Sequence, residues 1–250
     1  MSDLIYSIRL LMHELNLNNI ASNEFHLHEN NEMSQLEFLE YILSEEQRMR
    51  KLKKHERRLR QGNIPQLEYD ITVDGINKEQ LNRILTLGFT ETYGNLIIVG
   101  QCRTGKTSLA SSLGQRMILR EKIVYYVKYY DLMDILYTRA TSPAAKRKYD
   151  YIMTSDMIII DEVLYTGITG EDLTALFRFV SSVNDIASIV IITNRYFDEW
   201  LDASEDEFLM QTLIERLLGD CEIFKTQTLQ SDLLPTRTPR KKSVKKSSKK

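Results

Sequence analysis

The sequence predicts an α/β fold: a parallel sheet flanked by helices, preceded by a small all-α domain and followed by a basic tail with no core of its own. Three observations carry this reading. Four short apolar runs rich in β-branched residues recur, NLIIVG (95–100), KIVYYV (122–127), DMIIID (156–161) and SIVIIT (188–193), with helical stretches between them. Apolar on both faces, such runs suit parallel strands covered by helices. The first run leads directly into GQCRTGKTS (100–108), which has the outer pattern of a phosphate-binding loop. The first 64 residues show instead the three- and four-residue apolar spacing of helices.

Composition narrows the classes. The chain has 250 residues, 42% of them hydrophobic, enough for one nucleotide-binding domain and a smaller one. No apolar run approaches a membrane span, and MSDLIYSIRLL lacks the basic start and cleavage site of a secretory signal. Two cysteines, Cys102 and Cys221, make neither a disulfide framework nor a metal cluster, so a reduced cytoplasmic protein is expected. His13, His26, His28 and His55 have no cysteine partners and read as surface residues. The net charge of -2 conceals an asymmetry. Residues 237–250 hold eight basic residues and no acid, and residues 45–60 hold eight against three. An acidic body with two concentrated basic segments suggests a polyanionic partner.

Taken in order, LIYSIRLLMHEL places apolar residues at 4, 8, 11 and 15, one face of a helix. A second helix should start at Ser34, where SQLE fits a capping box with Glu37. Leu36, Leu39 and Leu43 then form an apolar stripe able to pack, and the helix should run to about Arg60, roughly 40 Å. A Glu46–Arg50 pair would support it. Three acids cannot neutralise Arg48, Arg50, Lys51, Lys53, Lys54, Arg57, Arg58 and Arg60, so these are candidate contacts to DNA phosphates. Residues 64–76, with Pro65 and Gly75, read as a linker. The expected domains are 1–64, helical; 65–230, nucleotide-binding; and 231–250, a disordered lysine-rich tail. That tail is either a solubiliser or a loose tether to phosphate backbones.

The chemistry lies in the second domain. Backbone amides of Gly100, Gln101, Cys102, Arg103, Thr104, Gly105, Lys106, Thr107 and Ser108 should cradle phosphates of ATP at a helix start. Lys106 should reach the β- and γ-phosphates, and the Thr107 hydroxyl should bind Mg²⁺. Arg103 stands where glycine would tolerate positive φ more easily, so strain or a shifted loop is expected. Cys102 puts a thiol at the loop, and its alkylation should inhibit. Tyr125, Tyr126, Tyr129 and Tyr130 read as strand and helix packing, not as a base-stacking platform, with Asp131 capping the next helix. MIIIDE (157–162) runs into Asp161 and Glu162 at a strand's carboxyl end. Asp161 would hold Mg²⁺ and Glu162 would polarise the attacking water, which argues for hydrolysis. Asn194, ending SIVIITN, suits a contact to that water. Arg216 in TLIERLLGD is a candidate arginine finger toward a neighbouring copy, with Arg195 and Arg178 competing.

These motifs resemble those of the IstB-like ATPases, AAA+ proteins that help insertion-sequence transposition and are close to DnaC-type helicase loaders. The similarity covers nearly all of residues 1–230 and includes GQCRTGKTSLA, DMIIIDEV, IVIITNRYFDEW, LIERLL and the N-terminal MSQLEFLEYILSEEQRMR. It implies a helical N-terminal domain, an AAA+ domain, ATP-dependent homo-oligomers on double-stranded DNA, and cooperation with a transposase. It assigns Lys106, Thr107, Asp161, Glu162, Asn194 and Arg216 the roles given above. The alternatives are a replicative helicase loader and a nucleotide-binding switch or scaffold. The chain departs from the family's pattern at Arg103, commonly glycine, and at Val163-Leu164, often Leu-Gly. It also lacks a "SYR"-like segment after its last strand.

Overall fold

The computed structural model describes residues 2–22, 34–67 and 77–226. The tail 231–250, His26, His28 and most of the expected linker lie outside the described residues.

Five parallel strands form one sheet in the order β2-β3-β4-β1-β5, with β1 Asn95–Val99, β2 Val124–Lys128, β3 Met157–Val163, β4 Ser188–Thr193 and β5 Cys221–Lys225. The four runs singled out in the sequence are four of these strands, and β4 lies between β1 and β3. The fifth, CEIFK, has no long β-branched run to announce it, and most of it is only half-buried at the sheet edge.

Side chains alternate across the sheet as the two-residue period requires. Leu96, Ile98, Ile159, Val190 and Ile192 point to one core, shared with α3 (Lys78–Leu85) and α4 (Lys106–Leu119). Ile97, Ile158, Ile160, Ile189 and Ile191 point to the other. That second core is covered by α5 (Tyr129–Thr138), α7 (Gly170–Val183) and α9 (Glu207–Leu218), with α6 (Pro143–Met153) and α8 (Phe197–Asp202) alongside. Burial on both faces is why these strands tolerate no alternating polar residues. Among the described residues no helix is long and apolar enough to cross a membrane.

The N-terminal helices are α1 (Ser2–Glu14) and α2 (Gln35–Gln61). The capping box forms: Ser34 Oγ accepts from the Glu37 amide at 3.3 Å, and Glu37 accepts from the Ser34 amide at 2.7 Å. The expected apolar stripe does not pack. Leu36, Leu39 and Leu43 are exposed, as are Leu11 of α1 and Leu15 just after it, while α2 buries Ile42 and Glu46. The reason is the turn after α1, which docks on the flank of α2 occupied by Glu46. Glu46 accepts from the Asn19 and Ile20 amides at 3.0 and 3.1 Å, from Asn19 Nδ2 at 2.9 Å and from Arg50 at 2.7 Å. The Glu46–Arg50 pair therefore exists, and each partner also bonds the turn after α1, Glu46 to Asn19 and Ile20 and Arg50 to the Asn16 carbonyl, so it is not a solvated helix-surface pair.

The end of α2 lies against the sheet's β2 edge. Tyr126 donates its amide to the Gly62 carbonyl at 2.7 Å, and a Cβ on Gly62 would meet the Val124 carbonyl at 2.3 Å. Only glycine permits that approach, which covers part of an otherwise open strand edge. Ile64 then enters the α4-side core.

One helix start differs from expectation. Asp131 does not cap α5; Lys128 holds the N-cap position with no side-chain cap, and Asp131 sits in the first turn. There its charge still favours the positive helix end.

Candidate functional site

The carboxyl ends of β1, β3 and β4 converge on one sheet edge. The loop after β1, Gly100–Gly105, turns into α4, whose first residue is Lys106. Arg103 (φ 67°) and Gly105 (φ 79°) are both left-handed. Arg103 thus adopts the conformation that glycine would take more easily, at a cost on the order of 1 kcal/mol. Its side chain and those of Gln101 and Cys102 are exposed.

Lys106 is 4% exposed and folded onto the loop, donating to the Gly100 and Gln101 carbonyls at 2.7 Å each. Burial draws its pKa below the ordinary lysine value, opposed by nearby Cys102 and Asp161. Thr107 donates its hydroxyl to Asp161 Oδ2 at 2.8 Å. Asp161, buried in β3, also accepts from the Tyr126 hydroxyl at 2.6 Å on Oδ2 and from the Glu162 amide at 2.7 Å on Oδ1. Tyr126 is consequently a held donor: burial, with Asp161 as acceptor, raises its pKa far above the phenolic range.

Glu162 sits where β3 breaks register with β4, between Ile160 and Val163, and its φ is 61°. The bulge turns its side chain out of the strand's alternation. Its carboxylate meets Lys128 Nζ at 2.8 Å, an ion pair with the end of β2, and that bond raises the Lys128 pKa. Asn194 follows β4 at the same edge, and its Oδ1 is a buried acceptor with no partner. Thr193, just before it, donates to the Val163 carbonyl at 2.9 Å and so ties β4 to the bulge.

The sequence-derived residues at 100–108, 161, 162 and 194 therefore share one edge. Arg216 does not join them: it is exposed on α9, with its guanidinium 5.6 Å from the Phe177 ring. Arg178 lines a separate pocket between α5, α6 and α7, and Arg195 lines one beside β1 and β5. Three residues that the motifs did not mark complete the edge: Tyr126, Lys128 and Thr226, whose Oγ1 is 2.6 Å from Thr104 Oγ1.

The basic residues lie elsewhere, on the second half of α2. Arg48 pairs with Glu45, Arg50 with Glu46 and Lys54 with Glu121. Among the described residues Lys51, Lys53, Arg57, Arg58 and Arg60 have no ion-pair partner. A groove of about 380 Å³ runs between this half and the end of α4, walled by Lys51, His55 and Arg58 over Leu52 and Leu119. Arg58 Nη1 and His55 Nε2 are buried there without a hydrogen-bond partner.

A parallel sheet with β4 between the strands that carry the loop and the acidic pair is a P-loop α/β fold, with its ligand edge at the carboxyl ends of the strands. Residues 10–233 match the IstB-like ATP binding protein family, and the chain belongs to it. It is 28% identical over 207 residues to an IS21-like insertion-sequence protein of Bacteroides fragilis named for ATP binding, covering 80% of this chain and 78% of that one. It is 27% identical over 192 residues to the corresponding IS21 protein of Pseudomonas aeruginosa, covering 75% and 72%. Its fold is similar to that of the DnaC helicase loader, with a TM-score of 0.52 at 14% identity over 67% of this chain and 99% of that one. It is also similar to DnaI, with a TM-score of 0.54 at 14% identity over 66% and 93%. The chain has the P-loop fold of the AAA+ class.

Proposed function

We propose that the protein is an ATPase that assembles on double-stranded target DNA and recruits or activates a transposase. The observation that carries this is one chain holding two things: a phosphate loop whose following Thr107 bonds Asp161 at 2.8 Å, and a helix with five cations that have no ion-pair partner among the described residues. The insertion-sequence setting of its relatives supports the transposition reading.

On this reading the loop amides and the α4 N-terminus bind the phosphates. Lys106 leaves the Gly100 and Gln101 carbonyls for the β- and γ-phosphates. Glu162 leaves Lys128 and takes a proton from a water as that water's oxygen bonds to the γ-phosphorus. The bond from phosphorus to the ADP oxygen breaks, releasing ADP and phosphate. Asn194 Oδ1, a buried acceptor without a partner, orients the water. Thr107 and Asp161 are hard oxygen donors already within 2.8 Å, a set that suits Mg²⁺, which when bound would neutralise phosphate charge. Tyr126 holds the Asp161 carboxylate in place. Arg216, exposed on α9 and outside its own site, would serve as an arginine finger for a neighbouring copy.

DNA contacts fall to Arg48, Arg50, Lys51, Lys53, Lys54, Arg57, Arg58 and Arg60. Each phosphate neutralised adds about 0.9 to the slope of log affinity against log salt. Duplex binding measured by fluorescence anisotropy should require ATP and fall steeply between low and physiological salt. Lys53→Glu with Arg57→Glu should lower both affinity and slope. Binding that ignores salt, or that survives the double reversal unchanged, contradicts the proposal.

The likeness to DnaC supports a second reading, loading of a helicase ring, with the same ATPase chemistry and a different partner. Co-purification with a transposase rather than a replicative helicase separates the two.

A further inference from the structure

The phosphate loop is tied to the outer strand of the sheet by a residue outside every nucleotide motif. Thr226 directly follows β5 and is 5% exposed. Its amide donates to the Val99 carbonyl at 2.9 Å, extending the β1–β5 ladder by one residue to the base of the loop. There Thr226 Oγ1 lies 2.6 Å from Thr104 Oγ1. Thr104 in turn donates to the Gln101 carbonyl at 2.8 Å. A hydroxyl carries one proton. Thr226 Oγ1 also lies 3.3 Å from the Val99 carbonyl, a longer contact than the 2.8 Å from Thr104 to Gln101. The shorter bond commits the Thr104 proton to Gln101 and leaves Thr226 as the donor across 2.6 Å, so the chain runs Thr226 to Thr104 to the Gln101 carbonyl.

Gly100 is built around the same contact. A Cβ there would meet Thr226 Oγ1 at 1.8 Å and the Thr226 carbonyl at 3.0 Å. No side chain fits, so the absence of one at residue 100 keeps Thr226 against the loop.

Lys106 also donates to the Gln101 carbonyl, at 2.7 Å. When Lys106 swings to a nucleotide's phosphates, that carbonyl loses a charged donor, while the Thr104 bond and its Thr226 support remain. A peptide freed to rotate would turn an acceptor toward the phosphates in place of the loop's amides.

We propose that Thr226 is a positioning residue for ATP: through Thr104 it fixes the Gln101 peptide while Lys106 engages the phosphates. This rests on the nucleotide-binding reading of the loop. Its effect belongs to affinity and not to the chemical step, because Thr226 touches the loop and no reacting atom.

The test compares Thr226→Val, which keeps the shape and removes the hydroxyl, with Thr226→Ser, which keeps the hydroxyl. ATP affinity is measured by calorimetry and turnover at saturating ATP in the same full-length chains. Thr226→Val should weaken ATP by about tenfold, the scale of one lost hydrogen bond, and leave kcat within about twofold. Thr226→Ser should match the wild type. Thr104→Val should lose about as much, and the double variant no more than either alone, because both interrupt one relay. If Thr226→Val does not fold, Thr104→Val alone must still show the affinity loss. Wild-type affinity in Thr226→Val, a loss equal in Thr226→Ser, or additive losses in the double variant would overturn the inference. A wild-type chain that binds no ATP, as Lys106→Ala should not, would instead overturn the nucleotide reading itself.

Discussion

Lys128 Nζ lies 2.8 Å from Glu162 Oε1, pairing the end of β2 with the bulge of β3. Glu162 is the residue proposed to activate water, so this pair must open before hydrolysis. Both side chains are partly exposed, and such pairs contribute about 0.2–1 kcal/mol. Lys128→Met should therefore raise turnover at saturating ATP by about two- to threefold and leave ATP affinity unchanged. A steady-state assay checks this, and a large loss of turnover would show that Lys128 helps the reaction and does not restrain it. The pH profile has a defined sign. The Lys128 pKa is raised by Glu162, so the pair's contribution is complete below the ordinary lysine value of 10.5 and is lost only as pH climbs through the raised one. Between pH 7 and 9 the Lys128→Met effect should stay constant.

Tyr126 donates to Asp161 Oδ2 at 2.6 Å, beside the Thr107 hydroxyl on the same oxygen. Tyr126→Phe removes a charge-assisted bond, at a cost of about 1–3 kcal/mol of stability. It also frees the carboxylate to turn. The Mg²⁺ concentration for half-maximal ATPase activity should rise by about threefold or more, an effect of the size produced by loss of outer-shell partners. An unchanged Mg²⁺ titration would mean Asp161 is held well enough by Thr107 and the backbone.

Glu46 joins the turn after α1 to α2 through three hydrogen bonds and takes a fourth from Arg50 within α2. Burial alone would raise its pKa, but the bonds from Arg50, Ile20 and Asn19 outweigh it, and the net shift is downward from 4.5. A depressed carboxylate contributes stability above its ordinary value and loses it as pH falls through the depressed one. Glu46→Leu should cost about 2–4 kcal/mol, since it leaves buried amide donors unpaired. Thermal unfolding at pH 7 should show a large drop in midpoint for Glu46→Leu, shrinking toward the wild type as the buffer is taken below pH 4.

Cys102 is exposed on the phosphate loop, next to left-handed Arg103. An adduct on its sulfur occupies space beside the amides proposed to face phosphates. Alkylation should inhibit ATPase activity, and prior ATP should protect. Cys102→Ser should abolish the sensitivity; inhibition that persists there would point to Cys221, half-buried and with its thiol pKa pushed up to about 12.

The strands, the loop and the acidic pair were legible because each is local. A β-branched run, a capping residue or GQCRTGKT declares itself over a few neighbours, and Ser34 with Glu37 forms the box that the spacing announces. What was not legible depends on register between distant strands. Lys128 faces Asp161 across the β2–β3 ladder, and Thr226 reaches Thr104 only because β5 pairs with β1. No spacing along the chain encodes either alignment. The leucines of α2 depart from the periodic pattern for a related reason. Periodicity gives a stripe at Leu36, Leu39 and Leu43, but the docked turn at Asn19 and Ile20 selects a different flank, where a glutamate satisfies two free amides. Tyr126 had a readable signal: a hydroxyl near the end of a buried strand needs a partner, and the neighbouring strand ends in a carboxylate.

ATP binding and hydrolysis at this site are proposed to govern DNA binding by α2. The most direct test is the lifetime of the complex with labelled duplex DNA after a limited amount of ATP, compared between the wild type and Glu162→Gln. The wild type should bind with ATP, not with ADP, and release DNA as ATP is consumed, whereas Glu162→Gln should bind ATP as tightly and stay on the DNA. Equal lifetimes for the two proteins, or wild-type binding that is the same with ATP, with ADP and without nucleotide, would contradict the proposal.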